Sequence, residues 1–314
     1  MLRVGLIGLG DIARKAYLPA IGVRGDTQLI LCTRSEQTLT DLSARYRPAS
    51  VVRTMEELIV QGIDAAFVHA ATEAHPKIIR KLLEHGIHVY VDKPIAYTFE
   101  VSQELTELAR SKGLILFTGF NRRFAPMVAE LAMKEQKRIV HMQKNRVNQP
   151  DYARRFIFDD FIHVVDTLRY LAPGVITDTQ ISLYQQDGKL VHVQLQLSGE
   201  GFVSTGIMNR DSGAGEEKLE VMAPGIKWTV TGLNETMVLR DKMETKVTFG
   251  DWDSVLHRRG FEQIIDHFLS CVRDGIRPLI GQEDALETHQ ICEEIVRRAE
   301  GQGALPWRVT ADHH

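Results

Sequence analysis

The stretch that decides the fold is Arg3–Ala13, with the sequence RVGLIGLGDIA. Its first five residues form a mostly apolar run that predicts a buried strand, and a helical spacing of apolar residues begins near its end. Between them, Gly8 permits a tight turn, Gly10 lets the backbone approach a pyrophosphate, and Ala13 lets the helix pack closely on the strand. The helix N-terminus then faces the phosphate charge. The stretch therefore predicts a dinucleotide-binding turn with the contact residues Gly8, Gly10, Asp11 and Ile12.

The first third of the chain alternates short apolar runs with segments of helical spacing. The predicted strands are Arg3–Ile7, Leu29–Thr33, Asp64–Ala70, Ile87–Val91 and Leu114–Thr118. The predicted helices between them are Ile12–Ile21, Glu36–Tyr46, Ala74–His85 and Phe99–Lys112. Strand and helix in alternation imply a parallel sheet with right-handed crossovers. We therefore predict an α/β fold whose residues 1–120 form a doubly wound Rossmann domain.

The remainder, residues 121–314, has a different pattern. A long strand, Ile139–Val147, and a helix, Phe158–Leu171, precede a run of short strands between residues 179 and 249. Tight turns separate these strands, which predicts an antiparallel meander. Two helices follow, Gly260–Asp274 and Glu283–Glu300. We predict a second, α+β domain with a large, mostly antiparallel open sheet.

The open sheet also predicts self-association. The second domain has too few helices to cover both faces of its sheet, so one broad face would stay open. Large open apolar faces mark interfaces between proteins. We therefore expect a homodimer or a homotetramer that assembles through the C-terminal sheet.

Composition and charge limit the function classes. Hydrophobic residues make up 44% and charged residues 25% of the 314 residues, as in a globular protein with a full core. A formal net charge of −3 and a sequence pI near 6.5 argue against nucleic acid as the main partner. No apolar run approaches the roughly 20 residues that cross a membrane, so we expect no membrane association.

The cysteines and histidines predict neither disulfides nor a metal site. Cys32, Cys271 and Cys292 lie in apolar or helical stretches without a C-x-x-C pair, which predicts buried thiols in a reducing compartment. No group of cysteines and histidines has the spacing of metal ligands, so we expect no metal. Because the chain runs from Met1 directly into a strand without a leader, we expect a cytoplasmic protein.

The end of the second predicted strand indicates which dinucleotide binds. Enzymes that prefer NAD carry an Asp or Glu there, which accepts hydrogen bonds from the ribose hydroxyls. This chain has Thr33, Arg34 and Ser35 instead, and an arginine with two hydroxyls suits a ribose phosphate. We predict that NADP(H) is preferred over NAD(H). The alternative is that Arg34 is only a solvated loop residue.

Four segments together resemble the glucose-fructose oxidoreductase/inositol dehydrogenase/rhizopine catabolism (Gfo/Idh/MocA) family. Val91-Asp92-Lys93-Pro94 resembles the family's Glu-Lys-Pro signature after a Rossmann strand, with a shorter acid. Ala71–His75 resembles a loop along the cofactor, and Gly119–Pro126 resembles the segment that leaves the first domain. Asp159–Leu171 resembles the helix with the family's catalytic acid and histidine. The resemblance covers nearly the whole chain and is greatest for the MviM-like group.

This resemblance implies an NAD(P)-dependent oxidoreductase that acts on a sugar, polyol or related hydroxy or carbonyl compound. It implies that Lys93 orients the substrate, that His163 is the acid/base and that Asp159 supports it. It also implies a cis Lys93–Pro94 bond. The further cofactor contacts that it implies are Ala71, Thr72, His75, Asp92, Lys93 and Asn121.

The residues themselves suit this chemistry. Hydride transfer at an alcohol carbon needs a group that takes the hydroxyl proton and a donor that stabilises charge on the oxygen. Asp159, His163 and Asp166 have the i, i+4, i+7 spacing of one helix face, so a carboxylate is expected to fix the tautomer of the histidine. A structural histidine and a helix-capping aspartate are the alternatives, and Asp160 could replace Asp159.

The substrate pocket has two further expected features. Basic residues gather near it, and Arg122, Arg154 and Arg155 are predicted to bind substrate together with Lys93, Asp159 and His163. With Arg123, Lys144 and Arg146 they form either a solvated rim or a site for an anionic sugar. Phe161 stands where the family usually has glycine, so we expect either a narrowed pocket or an altered approach of the substrate.

Two other functions remain open at this point. The chain could be a dinucleotide-binding sensor without catalysis, although it keeps both Lys93 and His163. It could also be a hydrolase or lyase that retains its dinucleotide and uses it transiently. Fold alone does not decide among these functions, because function depends on the site.

Overall fold

A computed structural model describes residues 1–301. Residues 302–314, at the end of the predicted second domain, lie outside the described residues. Two sheets organise the chain, one of six strands and one of eight. The predicted α/β class, a Rossmann domain joined to an α+β domain with a large open sheet, is confirmed.

The first sheet is parallel throughout. Its strands are β1 (Leu2–Ile7), β2 (Thr27–Cys32), β3 (Ser50–Val52), β4 (Ala65–Val68), β5 (His88–Val91) and β6 (Leu116–Thr118). Their order is β3-β2-β1-β4-β5-β6, so the direction of winding reverses between β1 and β4. Doubly wound sheets bind ligands at the carboxyl ends of the strands beside such a reversal. The sequence does not predict β3, because three residues are too few for a recognisable pattern.

Helices cover this sheet. They are a π-helical turn Ala13–Tyr17 that continues into α1 (Leu18–Ile21), then α2 (Glu36–Tyr46), α3 (Met55–Val60), α4 (His75–Glu84) and α5 (Phe99–Ser111). Local sequence features mark where two of these helices begin or end. Thr54 and Glu57 form a reciprocal capping box at α3, which satisfies two backbone N–H groups of the first turn. Gly86, with φ +75°, follows the end of α4 in a conformation that favours glycine.

The second sheet is mixed. Its strands are β7 (Ile139–Asn145), β8 (Asp178–Gln186), β9 (Lys189–Gly199), β10 (Phe202–Asn209), β11 (Glu216–Ala223), β12 (Ile226–Thr231), β13 (Glu235–Arg240) and β14 (Met243–Thr248). Their order is β14-β13-β12-β11-β7-β10-β9-β8. The predicted meander is wrong at the centre, because β7 lies between β10 and β11 and runs parallel to β10. The two flanking halves are antiparallel as predicted.

The remaining helices join the two sheets. They are α6 (Pro126–Ala132), α7 (Ala153–Phe156) with a π-helical turn Ile157–Phe161, α8 (Ile162–Leu171), α9 (Val255–Arg258), α10 (Phe261–Asp274) and α11 (Gln282–Ala299). Helix α8 lies so close to β10 that a Cβ on Gly206 would come within 2.5 Å of Val164 Cγ1. Helix α10 returns to the first sheet, where Phe268 packs against Phe67 and Tyr90. Helix α10 therefore stabilises the first sheet, although it follows the second sheet along the chain.

The second sheet has an open face, but that face is not apolar. Gly206 faces α8, so its neighbour Thr205 points to the opposite side of the sheet. The row of side chains through Thr205 runs across all eight strands. It consists of Gln180, Gln196, Thr205, His141, Glu220, Thr229, Met237 and Lys246, and Met237 is its one apolar member. The expected apolar face is therefore wrong. Strand alternation places the apolar residues under the helices and the polar ones on the open side.

Cys32, Cys271 and Cys292 are buried free thiols, as predicted. Within residues 1–301, no helix has the length and apolar character that crossing a bilayer requires. The same residues contain no group of three or more histidine, cysteine or acidic side chains placed to hold a metal ion.

Candidate active site

A cleft opens where the carboxyl ends of β1, β5 and β6 meet the second domain. Its walls are formed by Ile12, Asp92, Lys93, Asn121, Arg122, Lys144, Arg146, Gln149, Asp159, Asp160, His163, Arg210, Arg259 and Phe261. The predicted trio Lys93, Asp159 and His163 therefore meets in one cleft, although its members come from different domains.

The glycine turn after β1 suits a dinucleotide. Gly8 has φ +83°, and a Cβ there would lie 2.3 Å from the backbone nitrogen of Ala70, so only glycine fits. A Cβ on Gly10 would meet nothing within 4 Å, so the backbone borders open space. Asp11 and Ile12 are exposed at the start of the first helix. Free backbone N–H groups beside open space at a helix N-terminus can hold a pyrophosphate.

The residues after β2 stand at the expected position for the adenosine ribose. Thr33 is half-buried, whereas Arg34 and Ser35 are exposed. The Ser35 hydroxyl accepts a hydrogen bond of 3.3 Å from the backbone N–H of Thr38 and so caps α2. The Arg14 guanidinium, which the sequence does not predict to lie here, is also nearby. It donates a 3.1 Å hydrogen bond to the Thr38 hydroxyl. No acidic residue occupies positions 33–35.

The loops after β4 and β5 are joined by a buried histidine. Ala71 is exposed and Thr72 half-buried, but His75 is only 1% exposed. Its Nδ1 lies 2.9 Å from the Pro94 carbonyl oxygen and its Nε2 lies 3.0 Å from the Ala70 carbonyl oxygen. These two contacts tie the start of α4 to the loops after β4 and β5. The burial of His75 leaves it without a surface for the predicted direct cofactor contact.

Lys93 reaches the second domain directly. The Lys93–Pro94 bond is cis, as predicted. The Asp92 carboxylate accepts a 2.9 Å hydrogen bond from the Lys93 backbone N–H, and the Lys93 ammonium donates to the Asp159 carbonyl oxygen. The Tyr97 hydroxyl lies 2.8 and 2.9 Å from the two Asp159 carboxylate oxygens. Burial raises the pKa values of Asp92 and Asp159, and the nearby Lys93 ammonium opposes that shift.

A wide helical turn brings two consecutive acids to the cleft. Residues Ile157–Phe161 form a π-helical turn before α8, and both Asp159 and Asp160 line the cleft. Phe161 is fully buried in the core and lies outside the cleft wall. The expectation that Phe161 narrows the pocket is therefore wrong. The π-helical turn changes the angular spacing of an α-helix and turns Phe161 inward.

His163 lies in the cleft among cations rather than acids. Its Nδ1 is buried and has no hydrogen-bond partner among residues 1–301. Burial first, and then the charges of Arg122, Lys144 and Lys93, depress the pKa of His163 well below its usual value. The imidazole is therefore neutral near pH 7.

The predicted carboxylate partner of His163 is wrong because the expected acids have other partners. Asp166 is 1% exposed and accepts hydrogen bonds from Arg123 at 2.6 to 3.1 Å. The Asp159 carboxylate faces the Tyr97 hydroxyl instead. The π-helical turn Ile157–Phe161 interrupts the α-helical spacing between Asp159 and His163. Asp166 lies on α8 with His163, but its carboxylate is taken by Arg123.

Three cations converge on Asp160, and we name Lys144, Arg146, Arg210 and Asp160 the cleft cluster. The Asp160 carboxylate contacts the Lys144 ammonium, Arg146 at 2.9 and 3.0 Å, and Arg210 at 3.4 Å. Burial alone would raise the pKa of Asp160, but Lys144 and Arg146 hold it well below its usual range. Burial and the like charge of Arg122 lower the pKa of Lys144 to about 7.

The predicted substrate arginines separate into different environments. Arg122 lines the cleft, where its guanidinium pairs with the Glu217 carboxylate at 2.6 and 2.8 Å. Arg154 lies outside the cleft wall and pairs with Glu293 at 2.8 and 2.9 Å, because α7 faces α11. Arg155 also lies outside the wall; its side chain is 62% exposed and comes within 4.0 Å of Asp159. The geometry supports a cleft role for Arg122 alone among these three.

Several cleft residues have little sequence signal. These are Gln149, Arg210, Arg259 and Phe261. Gly260 provides the one local sign, because with φ +77° its Cβ would lie 2.4 Å from the Asn121 carbonyl oxygen. This glycine lets the backbone around it pack against Asn121, whose side-chain amide donates a 2.8 Å hydrogen bond to the Arg259 carbonyl oxygen.

Both halves of the chain match known protein families. The Gfo/Idh/MocA oxidoreductase family, with an NAD-binding Rossmann fold, matches residues 2–120. The YceM-like C-terminal domain matches residues 126–241. The YceM protein of Salmonella typhimurium is 31% identical over 303 residues, which cover 95% of this chain and 98% of that protein. The chain belongs to the Gfo/Idh/MocA family.

Solved structures agree with this membership. A Gfo/Idh/MocA family oxidoreductase from Vibrio cholerae superimposes with a TM-score of 0.90 at 30% identity, covering 96% of this chain and 99% of that one. The dehydrogenase MviM from Clostridium difficile gives a TM-score of 0.89 at 33% identity, covering 95% and 99%. The predicted resemblance, including the MviM-like group, is confirmed. This Gfo/Idh/MocA protein is an NAD(P)-dependent oxidoreductase.

Proposed function

We propose that this enzyme transfers a hydride between a nicotinamide dinucleotide and the hydroxyl or carbonyl carbon of a sugar, polyol or related compound. The observation that carries the proposal is the meeting of Lys93, Asp159 and His163 in one cleft beside the glycine turn. Ligands of doubly wound sheets bind at this edge.

The names of three relatives support this substrate class. The myo-inositol dehydrogenase Hyg17 of Streptomyces leeuwenhoekii is 27% identical over 54% of this chain. The 1,5-anhydro-D-fructose reductase of Ensifer adhaerens is 28% identical over 54% of it. The scyllo-inositol 2-dehydrogenase (NAD(+)) of Bacillus subtilis is 24% identical over 80% of it. Each of these substrates is a polyhydroxylated ring.

The side chains of the cleft have distinct parts in this reaction. The bound dinucleotide supplies the acceptor or donor of the hydride. The Lys93 ammonium donates a hydrogen bond to the substrate oxygen, and the Asp159 carbonyl oxygen holds that ammonium in place. In the oxidative direction, neutral His163 accepts the hydroxyl proton at Nε2 while the carbon loses its hydride. In the reductive direction, the same nitrogen returns the proton to the oxygen.

Lys93→Met tests this assignment after a substrate is found by screening sugars and polyols for quenching of bound NADPH fluorescence. We expect turnover to fall at least about 100-fold, because the charge that holds the oxygen is lost. NADPH affinity should fall much less than turnover, although the family resemblance also implies a cofactor contact for Lys93. Lys112→Met is the matched control. Lys112 is exposed and directly follows α5, so this variant should behave as the wild type. Full activity of Lys93→Met would contradict the proposal, as would product formation without oxidation or reduction of a substrate.

We infer a preference for NADP(H) from the positions of Thr33, Arg34, Ser35 and Arg14. Two guanidinium groups and two hydroxyls suit a ribose phosphate, and an acid that would repel it is missing from positions 33–35. Arg34→Ala should weaken NADPH binding about tenfold and leave NADH binding unchanged. Arg110→Ala, on an exposed helix end, serves as the control. Equal wild-type affinities for NADPH and NADH in fluorescence titrations would refute the preference.

We infer further that the enzyme forms a homodimer or a homotetramer through the open face of the eight-stranded sheet. The polar row on that face, which includes Gln196 and Thr205, would make such an interface rich in hydrogen bonds. Light scattering at micromolar concentration should give two or four times the 35.5 kDa chain mass. A particle of a single chain mass would contradict this.

A further inference from the structure

The charges of the cleft are unbalanced. Six cationic side chains but only three carboxylates line the wall, and Glu217 behind it neutralises Arg122. Within the cleft cluster, a single carboxylate, Asp160, serves three cations. Asp151 lies 3.6 Å from Arg210, but it lies 3.6 Å from Arg155 as well. Cations therefore remain in excess among the described residues of this wall.

The cleft cluster also has unused hydrogen-bond donors. A guanidinium has five N–H groups and an ammonium has three. Arg146 directs Nε and Nη2 to Asp160, and its side chain is 36% exposed, so its Nη1 is available for a further acceptor. The Nε of Arg210 is buried and finds no acceptor among residues 1–301. Arg146 therefore has a donor left over for an anion that enters the cleft.

The cationic residues of the cleft cluster lie where an anionic substrate group could bind. Lys144 is near the end of β7 and Arg146 directly follows that strand. Arg210 follows β10, and Asp160 precedes α8. The same wall holds Lys93 and His163, so an anion at the cleft cluster would leave the rest of a small substrate beside the groups assigned to hydride transfer. A buried structural network would instead pair its charges one to one and stay closed to solvent.

We propose that the cleft binds its substrate through an anionic group, a phosphate or a carboxylate, held by Lys144, Arg146 and Arg210 beside Asp160. This rests on the proposed function, because it names the substrate class of the same cleft. The substrate is then a phosphorylated or carboxylated sugar or polyol rather than a neutral one. Phosphate and carboxylate groups accept hydrogen bonds from the same cationic side chains, so the proposal covers both.

An anion bound at the cleft cluster would also affect the protonation of His163. In the free enzyme, burial and the surrounding cations keep His163 neutral. A bound anion offsets those cations and makes protonation of His163 easier. An anionic substrate would thus prepare the proton donor that reduction of a carbonyl needs.

Binding measurements on the full-length enzyme with NADPH separate the outcomes. The probes are sulfate, D-glucose, D-glucose 6-phosphate and D-glucuronate, and the affinity of each is measured by titration calorimetry. We expect sulfate to bind and to compete with an anionic sugar, and at least one anionic sugar to bind about tenfold or more tightly than D-glucose. The phosphate and carboxylate arms identify which anion is preferred. Equal binding of all three sugars, with no sulfate binding, would overturn the proposal.

Arg146 is the residue to change, because its partial exposure makes a folding defect less of a concern than at Lys144 or Arg210. Arg146→Gln should weaken sulfate and anionic sugar binding about tenfold or more, and Arg146→Lys should be intermediate because it keeps the charge but loses the fork. Arg240→Gln, exposed at the end of β13, should leave binding unchanged. Unaltered binding in Arg146→Gln would refute the assignment.

The outcomes also separate this proposal from the proposed function. If neutral polyols are oxidised in a Lys93-dependent reaction and sulfate has no effect, the hydride-transfer function stands and the anion site fails. If sulfate binds in an Arg146-dependent manner but no sugar is oxidised or reduced, the anion site stands and the hydride-transfer function fails.

Discussion

Two charged clusters meet the same helical segment through aspartates that lie six residues apart, Asp160 and Asp166. The two clusters differ in how their cations and carboxylates are paired. The cleft cluster surrounds Asp160 with three cations and reaches solvent through Arg146, whose side chain is 36% exposed. The second, which we name the core cluster, consists of Arg123, Asp166, Asp284 and Arg169. It pairs two cations with two carboxylates, and a third carboxylate, Glu287, also contacts Arg169. Arg123 and Asp166 are at most 4% exposed.

The contrast shows that residue type alone does not mark a binding site. The core cluster connects α8 to α11 and to the segment after β6, and each of its charges has an opposite partner. Burial raises the pKa of Asp166, while Arg123 opposes the shift. A network in which every cation has a carboxylate partner of its own holds elements together. A network with more cations than carboxylates can still attract an anionic ligand.

Loss of the cleft histidine should give the largest difference between the two regions. His163→Asn should lower turnover by about 10²–10⁴-fold, the usual value of general acid/base catalysis. NADPH affinity and the free energy of unfolding should stay near the wild type, because His163 is half-buried and its Nδ1 makes no hydrogen bond within residues 1–301. Steady-state kinetics and NADPH titration measure this. Near-normal turnover would remove His163 from the mechanism and direct attention to Lys144.

Breaking the core cluster should affect stability rather than chemistry. Asp166→Asn leaves the Arg123 guanidinium buried without its main counter-charge, so the free energy of unfolding should fall by about 3–5 kcal/mol. Urea denaturation followed by circular dichroism measures the loss. Asp187→Asn, in the exposed turn between β8 and β9, is the control and should change little. Below the unfolding transition, turnover of Asp166→Asn should match the wild type; a large loss of turnover would place Asp166 in the site instead.

The sequence predicts most of the first domain because its signals are local. The apolar runs of the five predicted strands and the glycine turn each lie within a few consecutive residues. The exceptions are the three-residue β3 and the helix α3 that follows it. In the second domain, the place of β7 between β10 and β11 depends on pairing over more than sixty positions, which no local pattern contains.

The site is predictable only in part for the same reason. Lys93 and His163 follow from motifs, and both line the cleft. Partners of charged groups do not follow, because Arg154 meets Glu293 and Arg122 meets Glu217 only after folding. The π-helical turn does not follow from the sequence either, since nothing in its residues IFDDF separates a π-helical turn from an α-helical one.

The smallest expected effect concerns the pH dependence of alcohol oxidation. His163 must be neutral to accept a proton, and burial together with Arg122, Lys144, Lys93 and Arg146 places its pKa well below 6.5. On the acidic side, kcat/KM should therefore not fall between pH 8 and 6.5 and should fall only at lower pH. Lys144→Met removes one of these cations, so the pKa of His163 should rise and the acidic limb should move toward neutral pH. Asp166→Asn, a change in the core cluster, should leave the limb in place. A wild-type limb at or above pH 6.5, or a limb that moves to lower pH in Lys144→Met, would show that the charge of the cleft cluster does not reach His163.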